Sequence, residues 1–206
     1  MKTTLTIVAV LALLGIAATA VFVFVIQDVE QPPYRTLVQD GPFELRDYPP
    51  LVVAEVAPEG DRRQALSAGF GSLAGYIFAR DREGERIAMT APVTQSRAGD
   101  AWAVRFFMPS GYGLDRLPEP AGRDVRLRET PAQRMAVVRF SGRTDNAQLA
   151  GREAELRDWM AARGLSPASE AVYAFYNDPL TPGFLRRNEV LIRVAGDASG
   201  GEATRR

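Results

Sequence analysis

The chain contains neither cysteine nor histidine. Without cysteine there is no disulfide, no thiolate nucleophile and no Cys-bound metal. Without histidine the commonest transition-metal ligand and the commonest general base near neutral pH are both gone. Zinc hydrolases, serine and cysteine triads and His-ligated metal cofactors are excluded by inventory, whereas catalysis by carboxylates alone is not. Lysine is scarce too: Lys2 is followed by no other, so the remaining basic residues are arginines. The 25 basic and 25 acidic residues cancel, and the pI is about 6.4. No basic surface of the kind that neutralises phosphates is implied, so nucleic acid is not an expected partner. An apolar fraction of 46% and a charged fraction of 24% are those of an ordinary globular domain.

Leu5 to Ile26 carries no charge. A helix of that length rises about 33 Å, enough to cross the hydrocarbon core. Lys2 precedes it, and Asp28 and Glu30 follow, so the positive-inside rule puts the N-terminus in the cytoplasm and the body outside. Ala18-Thr19-Ala20 offers a small-residue cleavage pattern, the alternative of a signal peptide. The apolar run continues through Val21 to Ile26, which cleavage would leave exposed. The expected organisation is a short flank at 1–4, a transmembrane signal anchor (or signal peptide) at 5–26, a linker at 27–33, a folded body at 34–195 and a disordered tail at 196–206. The expected location is the cell membrane, single-pass, with the lipid bilayer contacted through 5–26 and the soluble domain periplasmic.

Phe43 to Tyr48 alternates apolar and polar residues, the period of a half-buried strand. Leu51 to Val56, Arg86 to Thr94, Trp102 to Met108, Val125 to Glu129, Met135 to Ser141, Tyr173 to Tyr176 and Glu189 to Val194 also read as strands. Asp61, with Gln64 three residues on, predicts a capped helix to about Phe78. Thr144 opens a second helix through Arg163, stopped by Gly164. The stretch Pro109 to Gly122 predicts a long loop. Leu45-Arg46-Asp47-Tyr48-Pro49 matches Leu127-Arg128-Glu129-Thr130-Pro131, and Val52 to Val56 matches Ala136 to Phe140 at nearly the same offset. The expected fold class is α+β: a pseudo-twofold repeat of ββαββ halves forming a strongly twisted antiparallel sheet or barrel, flanked by two helices and preceded by the N-terminal transmembrane helix.

On the first helix Leu66, Phe70, Leu73 and Ile77 fall on one face. That spacing suits core packing, and it also suits a groove wall. Beside it runs a line of small residues: Ala68, Gly71, Ser72, Gly75 and Ala79. Three glycines, Gly69, Gly71 and Gly75, each weaken the helix by about 1 kcal/mol relative to alanine. Close approach of a flat object, either another backbone or a planar ligand, would offset that. The loop at Pro109 to Gly122, or the one at Asn177 to Phe184, would supply the opposite wall.

Several segments together resemble the SOUL heme-binding family. They are Phe43 to Pro50, Gly69 to Phe78, Ile87-Ala88-Met89-Thr90-Ala91-Pro92-Val93, Phe107-Met108-Pro109, Val138 to Gly142, and Arg186-Arg187-Asn188-Glu189-Val190. The resemblance covers about Tyr34 to Val194. It implies a twisted barrel of two repeated halves with two helices, and a porphyrin small molecule, heme or a related tetrapyrrole, as bound cofactor. Carried over by position, the cofactor-binding residues would be Leu66, Phe70, Gly71, Leu73, Ala74, Ile77, Leu180 and Phe184, with Arg186 toward the propionates. Arg80 and Arg187 are further cations for that role, since Ser67 and Gly75 stand where heme-binding members carry basic residues; for Arg186 and Arg187 the alternative is pairing with acidic groups of the fold. Any iron ligand would be Tyr76, Met89 or Tyr176, or be absent. The function expected on this footing is a non-enzymatic, membrane-tethered carrier or buffer of heme. The alternative is a protein-interaction module that uses the same groove with no cofactor.

Overall fold

A computed structural model describes residues 29–80, 82–122 and 124–196. The expected anchor at 5–26 and nearly all of the expected tail lie outside the described residues. The compact body starts at Gln31. Its strands are β1 (Arg35–Asp40), β2 (Phe43–Tyr48), β3 (Leu51–Val56), β4 (Val93–Ala98), β5 (Ala101–Phe107), β6 (Arg126–Thr130), β7 (Gln133–Phe140), β8 (Val172–Phe175) and β9 (Asn188–Arg193). The helices are α1 (Arg62–Ile77) and α2 (Asn146–Ala161). All nine strands join one antiparallel sheet in the order β1-β2-β7-β9-β8-β4-β5-β3-β6, curled into a half-barrel.

Strand alternation sorts side chains onto two faces. On the outer face, Ala54, Val56, Val104 and Phe106 pack against Leu73 and Ile77 of α1. Ala136, Val138, Val190 and Ile192 pack against Leu149, Leu156, Trp159 and Met160 of α2. The intervening residues of the same strands make a third cluster on the concave face: Tyr48, Met135, Val137, Ala174 and Leu191. The sheet is thus apolar on both sides over its middle. That explains why several strands read as continuous apolar runs rather than strict alternations.

Local signals set the helix ends. The Asp61 carboxylate accepts from the backbone N–H groups of Arg63 and Gln64 at 2.9 and 3.0 Å. Asp145 caps α2 by accepting from Gln148 N–H at 2.8 Å, one residue beyond the expected Thr144. Gly164 follows α2 at φ +66°, the left-handed stop that glycine supplies without strain. At the end of α1 that position is Ala79, at φ +52°, with Arg80 N–H donating back to Gly75 O at 3.0 Å.

Two expectations change. Arg86 to Thr94 is not one strand: regular pairing starts only at Val93, and 86–92 is irregular. Pro92 has no N–H to donate to a ladder, so a strand can begin after it but not run through it. The irregular piece is fixed instead by Ile87 N–H on Ile77 O at 2.8 Å and Thr90 Oγ1 on Phe107 O at 2.7 Å. The second change is β1, an edge strand whose residues are mostly exposed and therefore show no apolar periodicity.

Candidate functional site

The α1 candidates separate by depth. Leu73, Ala74 and Ile77 are core residues, at 4% exposure or less, and Leu73 and Ile77 cluster with residues of β3 and β5, Ile87 and Leu117. Leu66 is half-buried against the same cluster. Phe70 is 43% exposed, with its ring edge on Phe106 at 5.3 Å. Gly71 is exposed and has open space where a Cβ would stand. The glycines therefore have different causes. A Cβ on Gly69 would lie 2.7 Å from Val104, so Gly69 lets α1 sit down on β5, whereas Gly71 meets nothing. The slot expected along the whole apolar stripe is, over Leu73 and Ile77, already filled by the protein's own side chains. The neighbouring small stripe does border a cleft: Ala68 and Ser72 line about 310 Å³ with Pro58, Asp124 and Arg126.

The loop between β8 and β9 carries the other candidates. Leu180 and Phe184 are 84% and 78% exposed, and Leu185 beside them is half exposed. Arg186 is turned back on its own loop, donating to Thr181 O at 2.7 Å and to Pro179 O. Phe184 and Arg186 line an open depression of about 550 Å³ with Pro42, Glu44 and Arg139. The loop and the start of α1 are held to the same connection: Gly142 N–H donates to Gly183 O at 2.9 Å, and Arg62 donates to Thr144 O and Asn146 Oδ1 at 2.9 and 2.7 Å.

Arg187 pairs with an acid of the fold, in a buried ionic cluster whose other members, Arg46, Tyr176 and Glu189, sequence reasoning did not bring together. Glu189 is fully buried on β9. It accepts two hydrogen bonds from Arg46 at 2.8 and 3.1 Å, two from Arg187 at 3.0 and 2.7 Å, and one from Tyr176 Oη at 2.8 Å. Burial alone would raise the Glu189 pKa, but the two guanidiniums outweigh it and hold it below the usual carboxylate range. Burial likewise opposes the Arg46 charge, and Glu44 and Glu189 reverse that, raising its pKa. Tyr48 is pushed up to about 12 by burial, and Tyr176 rises for the same reason, reinforced by the Glu189 charge.

The cluster closes one end of a cavity of about 310 Å³ on the concave face. The floor is apolar, with Leu51, Val53, Phe107, Met135, Val172 and Leu191. Its walls add Tyr34, Tyr48 and Tyr176 toward the cluster, and Arg97, Arg105, Arg128 and Arg193 elsewhere. The signal was present in the strand period: Arg46/Tyr48, Thr94/Ser96, Arg105/Phe107 and Arg128/Thr130 are residues two apart that share a face. Taken strand by strand they look like solvent-facing positions. Only the curl of the sheet brings them together.

The sequence profile of the SOUL heme-binding protein family matches residues 29–193. The chain belongs to this family. Human heme-binding protein 2 is similar, 28% identical over 128 residues. That match takes in 56% of this chain and spans 62% of the human protein, short of two thirds of its length. Among solved structures, a hydrolase from Listeria innocua superposes with a TM-score of 0.56 at 12% identity, covering 77% of this chain and 94% of that one. The C-terminal domain of EcmrR superposes with a TM-score of 0.50 at 13% identity, over 78% of this chain and 97% of that one. At such identities these likenesses concern the fold alone.

The SOUL assignment makes a porphyrin the group to test against the residues present. The exposed apolar side chains Phe70, Leu180 and Phe184 suit the face of a flat macrocycle. The candidate iron ligands do not suit the metal. Tyr76 Oη donates to Pro118 O at 2.8 Å, Tyr176 Oη is bound to Glu189, and Met89 packs into the α1 core. Among the described residues no group of three or more His, Cys, Asp or Glu converges on a metal position.

Proposed function

We propose that this SOUL-family body binds heme or a related tetrapyrrole without enzymatic chemistry. The macrocycle lies over the exposed part of α1, at Phe70 and Gly71, and against Leu180 and Phe184 of the β8–β9 loop. The observation that carries this reading is family membership over 29–193 together with the exposure of large apolar side chains at positions the family resemblance points to. Such patches on a soluble body mark binding surfaces. The binding energy comes from apolar burial of the ring, not from iron. Arg80, exposed at the end of α1, is the cation left for a propionate, since Arg186 and Arg187 are engaged within the protein. Leu73, Ala74 and Ile77 act from behind, by holding α1 in place.

The apolar run at 5–26 supports a tether that keeps the body outside the cytoplasmic membrane, where it serves as a carrier or buffer. The two runs β3-α1-β4-β5 and β7-α2-β8-β9 hold mirrored places in the strand order, which supports reading them as a repeat. A protein partner is the second reading, favoured by the 84% and 78% exposure of Leu180 and Phe184. Titration with hemin and with iron-free protoporphyrin, followed by Soret absorbance and Trp quenching, separates the two. Saturable uptake of both, lost in a Phe70→Ser, Leu180→Ser, Phe184→Ser triple variant, is expected. Absence of a saturable shift rejects the tetrapyrrole and leaves the interaction module.

A further inference from the structure

We propose that the concave cavity is a second ligand site, and that it takes a small amphipathic carboxylate, an apolar or aromatic body with one anionic head. The proposal does not rest on tetrapyrrole binding at α1. Five strands contribute an apolar floor: Leu51 and Val53 from β3, Phe107 from β5, Met135 from β7, Val172 from β8 and Leu191 from β9. These side chains leave about 310 Å³ unfilled, at the lower end of the roughly 300–1,000 Å³ that small-molecule pockets occupy.

The two ends of β8 define the polarity. At the Tyr176 end the carboxylate and two of the tyrosine rings that would welcome a cation are engaged. The Glu189 carboxylate holds Arg46, Arg187 and Tyr176. The ring faces of Tyr34 and Tyr176 are covered by the guanidiniums of Arg46 and Arg187, at 4.2 and 3.9 Å from the ring centroids. A cationic ligand would meet two like charges there.

At the Val172 end the balance is positive. Ser96 pairs with Val172, and Val172 with Leu191, which puts Arg193 on the cavity face at this end and Arg97, one residue past Ser96, at its rim. Arg97 lies over the Trp102 ring at 4.2 Å, and Arg193 donates to Ala168 O at 2.7 Å. Among the described residues neither has a carboxylate within salt-bridge distance. Arg105 and Arg128 share a single carboxylate, Glu55. Glu170, exposed at the rim, is the remaining acid of the lining. A guanidinium fork with adjoining hydroxyls, such as Ser96 Oγ and Thr94 Oγ1, is the arrangement that recognises a carboxylate. The apolar body would lie along the floor toward Tyr48.

Calorimetric titration of the full chain with decanoate, decan-1-ol and decylamine tests this. Decanoate is expected to bind once per chain, at least tenfold tighter than decanol, and decylamine not to bind. Arg97→Glu with Arg193→Glu, both at the exposed rim, should weaken decanoate at least tenfold and admit decylamine. Val172→Trp should fill the cavity and abolish decanoate binding, with cooperative unfolding retained. Equal binding of decanoate and decanol, a preference for decylamine in the parent chain, or an unaltered decanoate affinity in either variant overturns the proposal. Hemin uptake read on the same proteins keeps the two sites apart. Loss of hemin together with decanoate in Val172→Trp would mean one shared site and would also overturn it, whereas failure of hemin alone leaves this cavity standing.

Discussion

Gly69 and Gly71 are two residues apart on one helix, and alanine should act on them in opposite directions. Either substitution removes the same helix penalty, about 1 kcal/mol. At Gly71 the added methyl meets nothing within 4 Å, so that gain stands alone. At Gly69 the methyl would lie 2.7 Å from both Cβ and Cγ2 of Val104, a side chain fully buried in the middle of β5. Overpacking of that kind costs about 1–3 kcal/mol. The propensity gain cancels between the variants, so their difference isolates the contact: Gly71→Ala should exceed Gly69→Ala in stability by about 1–3 kcal/mol. For a body of this size that is a separation of roughly 2–12 °C in Tm, at about 2–4 °C per kcal/mol. Denaturant unfolding of the three proteins, with m-values compared, measures it. If Gly69→Ala equals or exceeds Gly71→Ala, α1 is not seated on β5 by that glycine, and the reasoning that assigns the two glycines different causes fails.

Other outcomes follow from the same geometry. Glu189→Gln strips the charge that Arg46 and Arg187 share and should lower stability by about 3–5 kcal/mol, measured by urea unfolding at pH 7. Because the Glu189 pKa is depressed in the fold, its contribution is present above the ordinary glutamate value of about 4.3 and is lost as pH falls below it. The parent chain should therefore weaken on acidification toward pH 3 more steeply than Glu189→Gln, and parallel slopes would contradict the assignment. Tyr48 and Tyr173, pushed up to about 12, and Tyr176 should ionise late in a 295 nm titration, above the ordinary tyrosine value of about 10. Ala79→Gly relieves a left-handed alanine and should stabilise the chain by about 0.5–1 kcal/mol in thermal unfolding. Hemin and iron-free protoporphyrin should bind within a few-fold of each other, and a large preference for hemin would reveal an iron ligand.

The site was legible unevenly. Phe70, Leu180 and Phe184 were found through family resemblance, and they stand exposed. Leu73 and Ile77 came from the same helical stripe, which does not distinguish a residue facing a ligand from one facing β5, since both are apolar at the same spacing. For Arg187 the sequence leaves two roles open, a propionate partner or pairing with an acid of the fold, because an arginine two residues from an acid gives no sign of whether that acid is buried; the structure shows the second. Its true partner, Glu189, needs Arg46, 143 positions away, to be satisfied.

By itself the sequence determined what the protein cannot use, namely thiolate and imidazole chemistry, and it determined the elements. Period-two runs, Asp61 as cap and Gly164 as stop are local signals, and local signals survive without knowledge of the fold. The tertiary structure alone decided which face each strand presents, how α1 sits, and that a cavity exists. A nine-stranded sheet that curls gathers Arg97, Arg128 and Arg193 from distant parts of the chain into one lining. That convergence depends on register and curvature, which are long-range properties no stretch of residues encodes alone.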